Sequence, residues 1–357
     1  MKNPYRDLED YCFWSRAVAR PGPFQIDPCV SGITISPKHK VATMGSCFAQ
    51  HIARYLRSSG FHYYVPEAGP PDMSPDEGRR RNYGVFSARY GNVYTVKQLV
   101  QLFDRAFGEF VPEDSVWEHE GRLVDPFRPS VEPDGFTDEQ ELNRDRQAHL
   151  GFVRDVFTES DFIIFTLGLT EGWRAKRDGA VFPIAPGVHG GTFDPMRHES
   201  VNFTAAETEQ DLSDFVRRVS AINPRVQIIL TVSPVPLIAT YEKRHVLVST
   251  AYSKAALRVA ADGAERSFRN VVYFPSYEII TSPAAQGRYY ADDLREVTEL
   301  GVKHVMRVFS KHFVQGLDKP ESVIDQKAIL KSMENNAGIV CDEETIELAL
   351  RRIAEPT

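Results

Sequence analysis

Four short apolar runs constrain this 357-residue chain more than any other feature: Val41–Met44, Phe162–Leu167, Val226–Val232 and Val271–Phe274. Each is almost wholly apolar, as strands buried on both faces must be. Around them lie helical patterns at Phe48–Ser58, Val96–Phe107, Glu139–Phe157, Ala205–Ile222, Ser249–Ser267 and Glu299–Phe313. Strand and helix taking turns predict βαβ units and a parallel sheet with right-handed crossovers. No internal repeat or low-complexity tract interrupts the alternation.

The first of these units carries the strongest chemical signal. Its apolar run ends at Gly45, Ser46 and Cys47 follow, and Phe48, Ile52, Ala53 and Leu56 then recur at helical spacing. A strand therefore enters a helix through a tight glycine turn, with Ser46 at the turn. A hydroxyl there faces free backbone N–H groups and the positive end of a helix dipole, which suits an activated nucleophile. It equally suits an ordinary helix cap, since serine is a preferred N-cap residue. Both readings stay open on this segment alone.

Composition narrows the classes. A net charge of −7 argues against nucleic-acid binding as the main task, and Arg79–Arg81 reads as a solvated basic run. No apolar stretch approaches the ~20 residues of a membrane span, and the first 16 residues are acidic and aromatic where a leader would be apolar. Cysteines 12, 29, 47 and 341 have neither metal-ligand nor disulfide-framework spacing, so a cytoplasmic setting without metal or cofactor is expected. Residues 66–91 and 110–136, rich in Gly, Pro and charge, read as long loops or a small cap. The tail beyond residue 316 carries two helical patterns, near Glu321–Asn335 and Asp342–Ile353.

Gly45-Ser46-Cys47-Phe48-Ala49 is similar to the namesake motif of the GSCFA family, itself resembling the SGNH (GDSL-type) hydrolases. The resemblance continues in family order through Tyr90–Leu99, Asp125–Pro129, Phe165–Trp173, Thr231–Leu237 and Tyr273–Ile279. It covers about residues 35–315, with an N-terminal extension over 1–34 and a helical C-terminal extension over 316–357. It implies a three-layer α/β fold of SGNH-hydrolase (flavodoxin-like) type, with a mostly parallel sheet and inserted loops. It also implies ester chemistry through Ser46 on a small-molecule or glycan substrate, a polysaccharide precursor among them.

In the family pattern an oxyanion hole uses the serine N–H, a second-block glycine and a third-block asparagine. Here the resemblance implies Gly91, with Gly84 as competitor, and Thr170 where the asparagine would stand. GLTE at that block matches one branch of the family, and Thr170 has the competing reading of a turn cap. At the last block, Asp293 aligns with the family aspartate and Glu296 replaces the histidine. A glutamate of ordinary pKa, about 4.3, is a weak base unless burial or the Asp293 carboxylate raises it. His189, on the glycine-rich loop Pro186–Phe193, is the alternative base. His51, His198 and His245 are further candidates, while His304 and His312 read as packing or surface residues.

Ser233 follows the Val226–Val232 strand and joins the same rim, as open α/β sheets place sites beyond their strands' carboxyl ends. Glu171, Ser233, Arg89 and Trp173 are the expected substrate-binding residues. Trp117, Tyr83, Tyr90 and Arg174 join Arg89 and Trp173 as aromatic and basic groups for a glycan or anion, with loop packing as the alternative. Cys47 reads as a small buried residue. A homo-oligomer is left open, and a binding protein that keeps the fold without hydrolysis is the competing function.

Overall fold

Residues 3–22, 24–30, 33–315, 341–346 and 349 are described by a computed structural model of the chain. The pattern near Glu321–Asn335 lies outside the described residues, as does half of that at Asp342–Ile353. Two units divide the chain: Lys38–Tyr273 with Gly338–Thr357, and Met1–Pro37 with Phe274–Ala337.

In the larger unit the elements run β1 (Val41–Gly45), α1 (Ala49–Ser58), α2 (Pro75–Arg80), α3 (Val96–Phe107), β2 (Trp117–His119), β3 (Arg122–Val124), α4 (Glu139–Glu159), β4 (Phe162–Leu167), β5 (Glu171–Ala175), β6 (Val181–Phe182), β7 (His198–Asn202), α5 (Ala205–Ile222), β8 (Gln227–Val232), α6 (Val246–Ser267) and β9 (Val271–Tyr273). Local chemistry sets many of the boundaries. Thr95 and Thr204 open α3 and α5 with capping boxes closed by Gln98 and Glu207. Gly108 ends α3 in the left-handed conformation, as a C-terminal glycine does.

The central sheet has the order β1-β4-β8-β9, all pairs parallel, in a three-layer α/β arrangement with helices. β1, β4 and all of β8 but Gln227 are buried, which is why their sequences lack polar alternation. Val41 also pairs in parallel with Tyr63, adding a single bridge on the far side of β1. The chain thus steps outward once from β1 and then turns back through β4, β8 and β9. Between β1 and β4 lies the switch point, the crevice where open α/β sheets bind ligands.

Two smaller sheets were not anticipated. Within 110–136, β2 and β3 form a hairpin across Glu120 and Gly121, both at positive φ. β6-β5-β7 form an antiparallel sheet whose β5 directly follows the turn after β4. Helix α2 likewise interrupts 66–91, beginning at the Ser74 cap with Pro75 in its first turn.

The smaller unit holds α7 (Ser276–Thr281) and α8 (Glu299–Phe313), with Ile35 bridging Val314. His304 is buried there; its Nε2–H donates to the Ile26 carbonyl at 2.6 Å and its Nδ1 accepts from the Tyr289 hydroxyl. That tautomer is neutral, and burial holds the imidazole down to about 4. A histidine kept neutral in the fold but free to take a proton when unfolded stabilises above pH 6.5 and loses that contribution as pH falls toward 4. We predict that His304 alone removes up to about 3 kcal/mol of stability across that window. Urea titrations of His304→Gln between pH 7 and 4.5 should show a correspondingly flatter pH dependence than wild type.

Candidate functional site

Ser46 sits where β1 meets α1, at the switch point. Gly45 precedes it at φ +122°, and a Cβ there would lie 2.2 Å from the Thr166 carbonyl oxygen, so only glycine fits. Gly168, at the end of β4, closes on Ser46 from the other side: a Cβ on it would stand 3.0 Å from both the Ser46 Cβ and the Tyr94 carbonyl. The Tyr94 carbonyl accepts from Gly168 and Leu169, and Val93 donates to the Gly45 carbonyl at 2.9 Å. Two strand ends and the 91–95 loop therefore converge on one serine.

Its hydroxyl is unusual. Ser46 is 3% exposed and its Oγ has no hydrogen-bond partner among the described residues. It is not a helix cap, because α1 begins at Ala49 behind Phe48, which makes no side-chain cap bond. The Ser46 N–H donates to the Thr166 carbonyl at 3.0 Å, extending the β1–β4 ladder. That donor is thus committed, whereas the family pattern would give it to the oxyanion.

Gly91 lies two residues before Val93, whose N–H reaches the Gly45 carbonyl. Gly91, at φ +66°, lies beside Arg128 and Asp342, whereas Gly84 gives its carbonyl to Arg57. Thr170 is buried, its N–H held by the Ser253 hydroxyl and its own hydroxyl donating to Asn202 Oδ1 at 2.7 Å. The expected oxyanion contribution from Thr170 meets this obstacle: a hydroxyl has one proton, and Asn202 holds it. Ser233 follows β8, its N–H on the Leu167 carbonyl and its Oγ accepting from Val235.

Asp293 and Glu296 belong to the smaller unit. Both are exposed, and Asp293 Oδ1 accepts from the N–H groups of Arg295 and Glu296 at 2.9 and 3.0 Å. This turn buries neither carboxylate. His189 is half-buried and stacks on His119 at 4.5 Å. Burial and His119 both lower its pKa, and the Asp342 carboxylate acts the other way.

The remaining substrate-binding expectations divide. Arg89 is fully buried, its guanidinium donating to the Arg81 and Val131 carbonyls, the Tyr83 hydroxyl, Asp145 and Glu132, while Glu67 takes its N–H. It is a structural hub rather than a ligand contact, because every donor it has is committed. Glu171 accepts from the Thr240 hydroxyl and the Tyr241 N–H, bracing that loop. Trp173 is half-buried, with Phe193 and the exposed Tyr241 edge-on at 5.3 and 4.9 Å, which leaves an aromatic cluster at the surface.

Two residues escaped the sequence reading. Lys254 on α6 is buried, and its ammonium donates to the carbonyl of Gly168, the glycine that closes on Ser46, at 2.7 Å. Asn92 is buried beside Gly91 and directs its side-chain amide to Asp342 at 2.9 Å. The signal for Asn92 was present: a polar amide between a glycine and apolar residues, in a block already suspected of oxyanion duty.

Asp125, Arg128, Arg105, Arg146 and Asp145 form an ion network around Asp125. Burial pushes Asp125 up, but Arg146, Arg128 and Arg105 outweigh it and hold the carboxyl far below its usual range. Burial lowers Arg105 to about 10. Arg128 also contacts the Gly91 position, so this network buttresses the loop that approaches Ser46.

A glycine-wedged serine at the switch point of a parallel sheet defines the class of this site. The chain belongs to the GSCFA family, whose model matches residues 40–309. No curated protein shows significant similarity to it.

Two substitutions test these assignments. Gly168→Ala should destabilise by about 1–3 kcal/mol in thermal melts, since Ser46 and the Tyr94 backbone must both give way. Arg89→Met should cost about 3–5 kcal/mol in urea unfolding, the cost of stranding buried carboxylates. A ligand-binding arginine would instead leave the unfolding midpoint near wild type.

Proposed function

We propose that this chain is an SGNH-like serine esterase or O-acyltransferase acting on a carbohydrate or polysaccharide precursor in the cytoplasm. The observation that carries the reading is the Ser46 hydroxyl: buried at the β1–α1 turn, unpartnered, and wedged between Gly45 and Gly168. Buried polar groups are normally hydrogen-bonded, and exceptions cluster where function demands them.

In this scheme Ser46 Oγ attacks the acyl carbonyl and loses its proton to a general base. The tetrahedral intermediate collapses, the alcohol leaves with that proton, and an acyl-serine remains. Water or a second hydroxyl then attacks the acyl-serine, the base taking and returning a proton again. The Gly91 loop is the proposed source of oxyanion donors, each such donor contributing a few kcal/mol in the transition state. For the base, the family alignment offers Glu296 with Asp293 in the histidine's place, and His189 is the second candidate. The Trp173–Tyr241–Phe193 cluster offers aromatic faces to a sugar ring.

A second reading has its own support. With the Ser46 N–H on Thr166 and the Thr170 hydroxyl on Asn202, two of the three family donors are occupied. A glycan- or partner-binding protein that retains the SGNH fold fits those facts. Hydrolysis of p-nitrophenyl acetate and labelling by a fluorophosphonate separate the two. The enzyme reading expects both signals to fall at least a hundredfold in Ser46→Ala, and turnover at least tenfold in Glu296→Gln. Equal rates in wild type and Ser46→Ala would leave the binding protein. Loss in Ser46→Ala with none in Glu296→Gln moves the base to His189.

A further inference from the structure

The loop that approaches Ser46 already holds a carboxylate. Asp342 Oδ2 accepts from the Asn92 side-chain amide at 2.9 Å and from the Asn92 N–H at 3.4 Å, and a Cβ on Gly91 would meet the same oxygen at 3.8 Å. The neighbours of Asp342 dock with it. The Tyr94 hydroxyl contacts Cys341 Sγ at 3.7 Å and accepts from the Glu343 N–H at 3.4 Å. Asp342 and Glu343 are 3% and 7% exposed. Burial raises the Tyr94 phenol well above its ordinary value; Cys341, Asp342 and Glu343 add to this, as does Cys47, the residue after Ser46. The segment therefore shares a neighbourhood with the serine turn.

We infer that Gly91, Asn92 and Tyr94 form a carboxylate-binding subsite beside Ser46, and that residues 341–346 are its intramolecular ligand, competing with a carboxylate-bearing substrate or effector. The chemistry of the contact favours a displaceable ligand over a permanent tie. A buried carboxylate is costly unless a cation or a full set of donors meets it. Asp342 has no Lys or Arg ion pair among the described residues, and the two N–H groups that reach its carboxylate both belong to Asn92. A weak contact suffices for a tethered segment, whose effective concentration reaches the millimolar range. A free ligand with the same carboxylate and a better complement elsewhere can therefore take its place.

That the ligand displaces the tail in order to reach Ser46 rests on the esterase reading; the subsite itself does not. The test uses the full chain carrying Asp342→Ala, with a fluorescent synthetic peptide of residues 339–346 as probe. The peptide should bind the variant at least tenfold more tightly than wild type, and millimolar glutarate should displace it. A peptide with asparagine in place of the aspartate should lose the gain. Should Asp342→Ala fail to fold, Asp342→Asn keeps one acceptor and serves in its place. Equal binding to variant and wild type, or none to either, overturns the subsite and leaves Asp342 a tertiary contact. Fluorophosphonate labelling of Ser46 is read separately. Tighter peptide binding with an inert Ser46 sinks the esterase reading alone, and faster labelling in the variant supports both.

Discussion

The approach of β1 to β4 at their carboxyl ends is the constraint on which the candidate site depends. The Ser46 N–H reaches the Thr166 carbonyl, and Gly45 permits this only because no Cβ intrudes on the neighbouring backbone. Gly168 repeats the solution one strand over, against Ser46 itself. A side chain at either position would pry the strands apart where the serine must be held. The parallel ladder thus sets where the nucleophile candidate stands, and the glycines set how tightly it is walled.

What holds the facing loop is electrostatic. Asp125 is the buried anion among Arg128, Arg146 and Arg105, and Arg89 gathers Asp145 and Glu132 nearby. Breaking such a pair strands a charge in a low-dielectric interior, which costs far more than the pair contributes net. This arrangement specifies a geometry more than it adds stability. Its product is a rigid 87–95 segment, with Ser87 accepting from the Thr43 N–H of β1 and Tyr90 donating to the Thr43 carbonyl.

The central sheet was legible because burial on both faces writes itself into sequence as unbroken apolar runs, and α3, α5 and α8 were legible to the residue through their helical patterns. The β5–β7 sheet was not. Its strands, Glu171–Ala175, Val181–Phe182 and His198–Asn202, are short, and β5 and β7 are largely half-buried, so no period stands out from the surrounding loop. Arg89 misled for the opposite reason. An arginine beside tyrosines in a glycine-rich stretch reads as surface, and its carboxylate partners Glu132 and Asp145 lie 43 and 56 residues away. Asp342 could not have been placed at all, since its partner Asn92 lies 250 residues earlier and no local pattern encodes that meeting.

The unpartnered Ser46 hydroxyl and the caged Asp342 carboxylate belong to one argument. A serine that served only packing would be replaced at no loss by alanine, or would turn its hydroxyl to the nearest carbonyl. Here the hydroxyl is buried between two glycines and has no partner among the described residues. That is costly for a scaffold and useful for a nucleophile, whose lone pairs must stay free until an acyl carbon arrives. Residues 341–343 meet the adjoining loop at Asn92 and Tyr94 without making a hydrogen bond to the serine oxygen itself. The two features meet in the proposed subsite: a ligand that displaces the Asp342 carboxylate from Asn92 arrives on the loop that adjoins the serine turn.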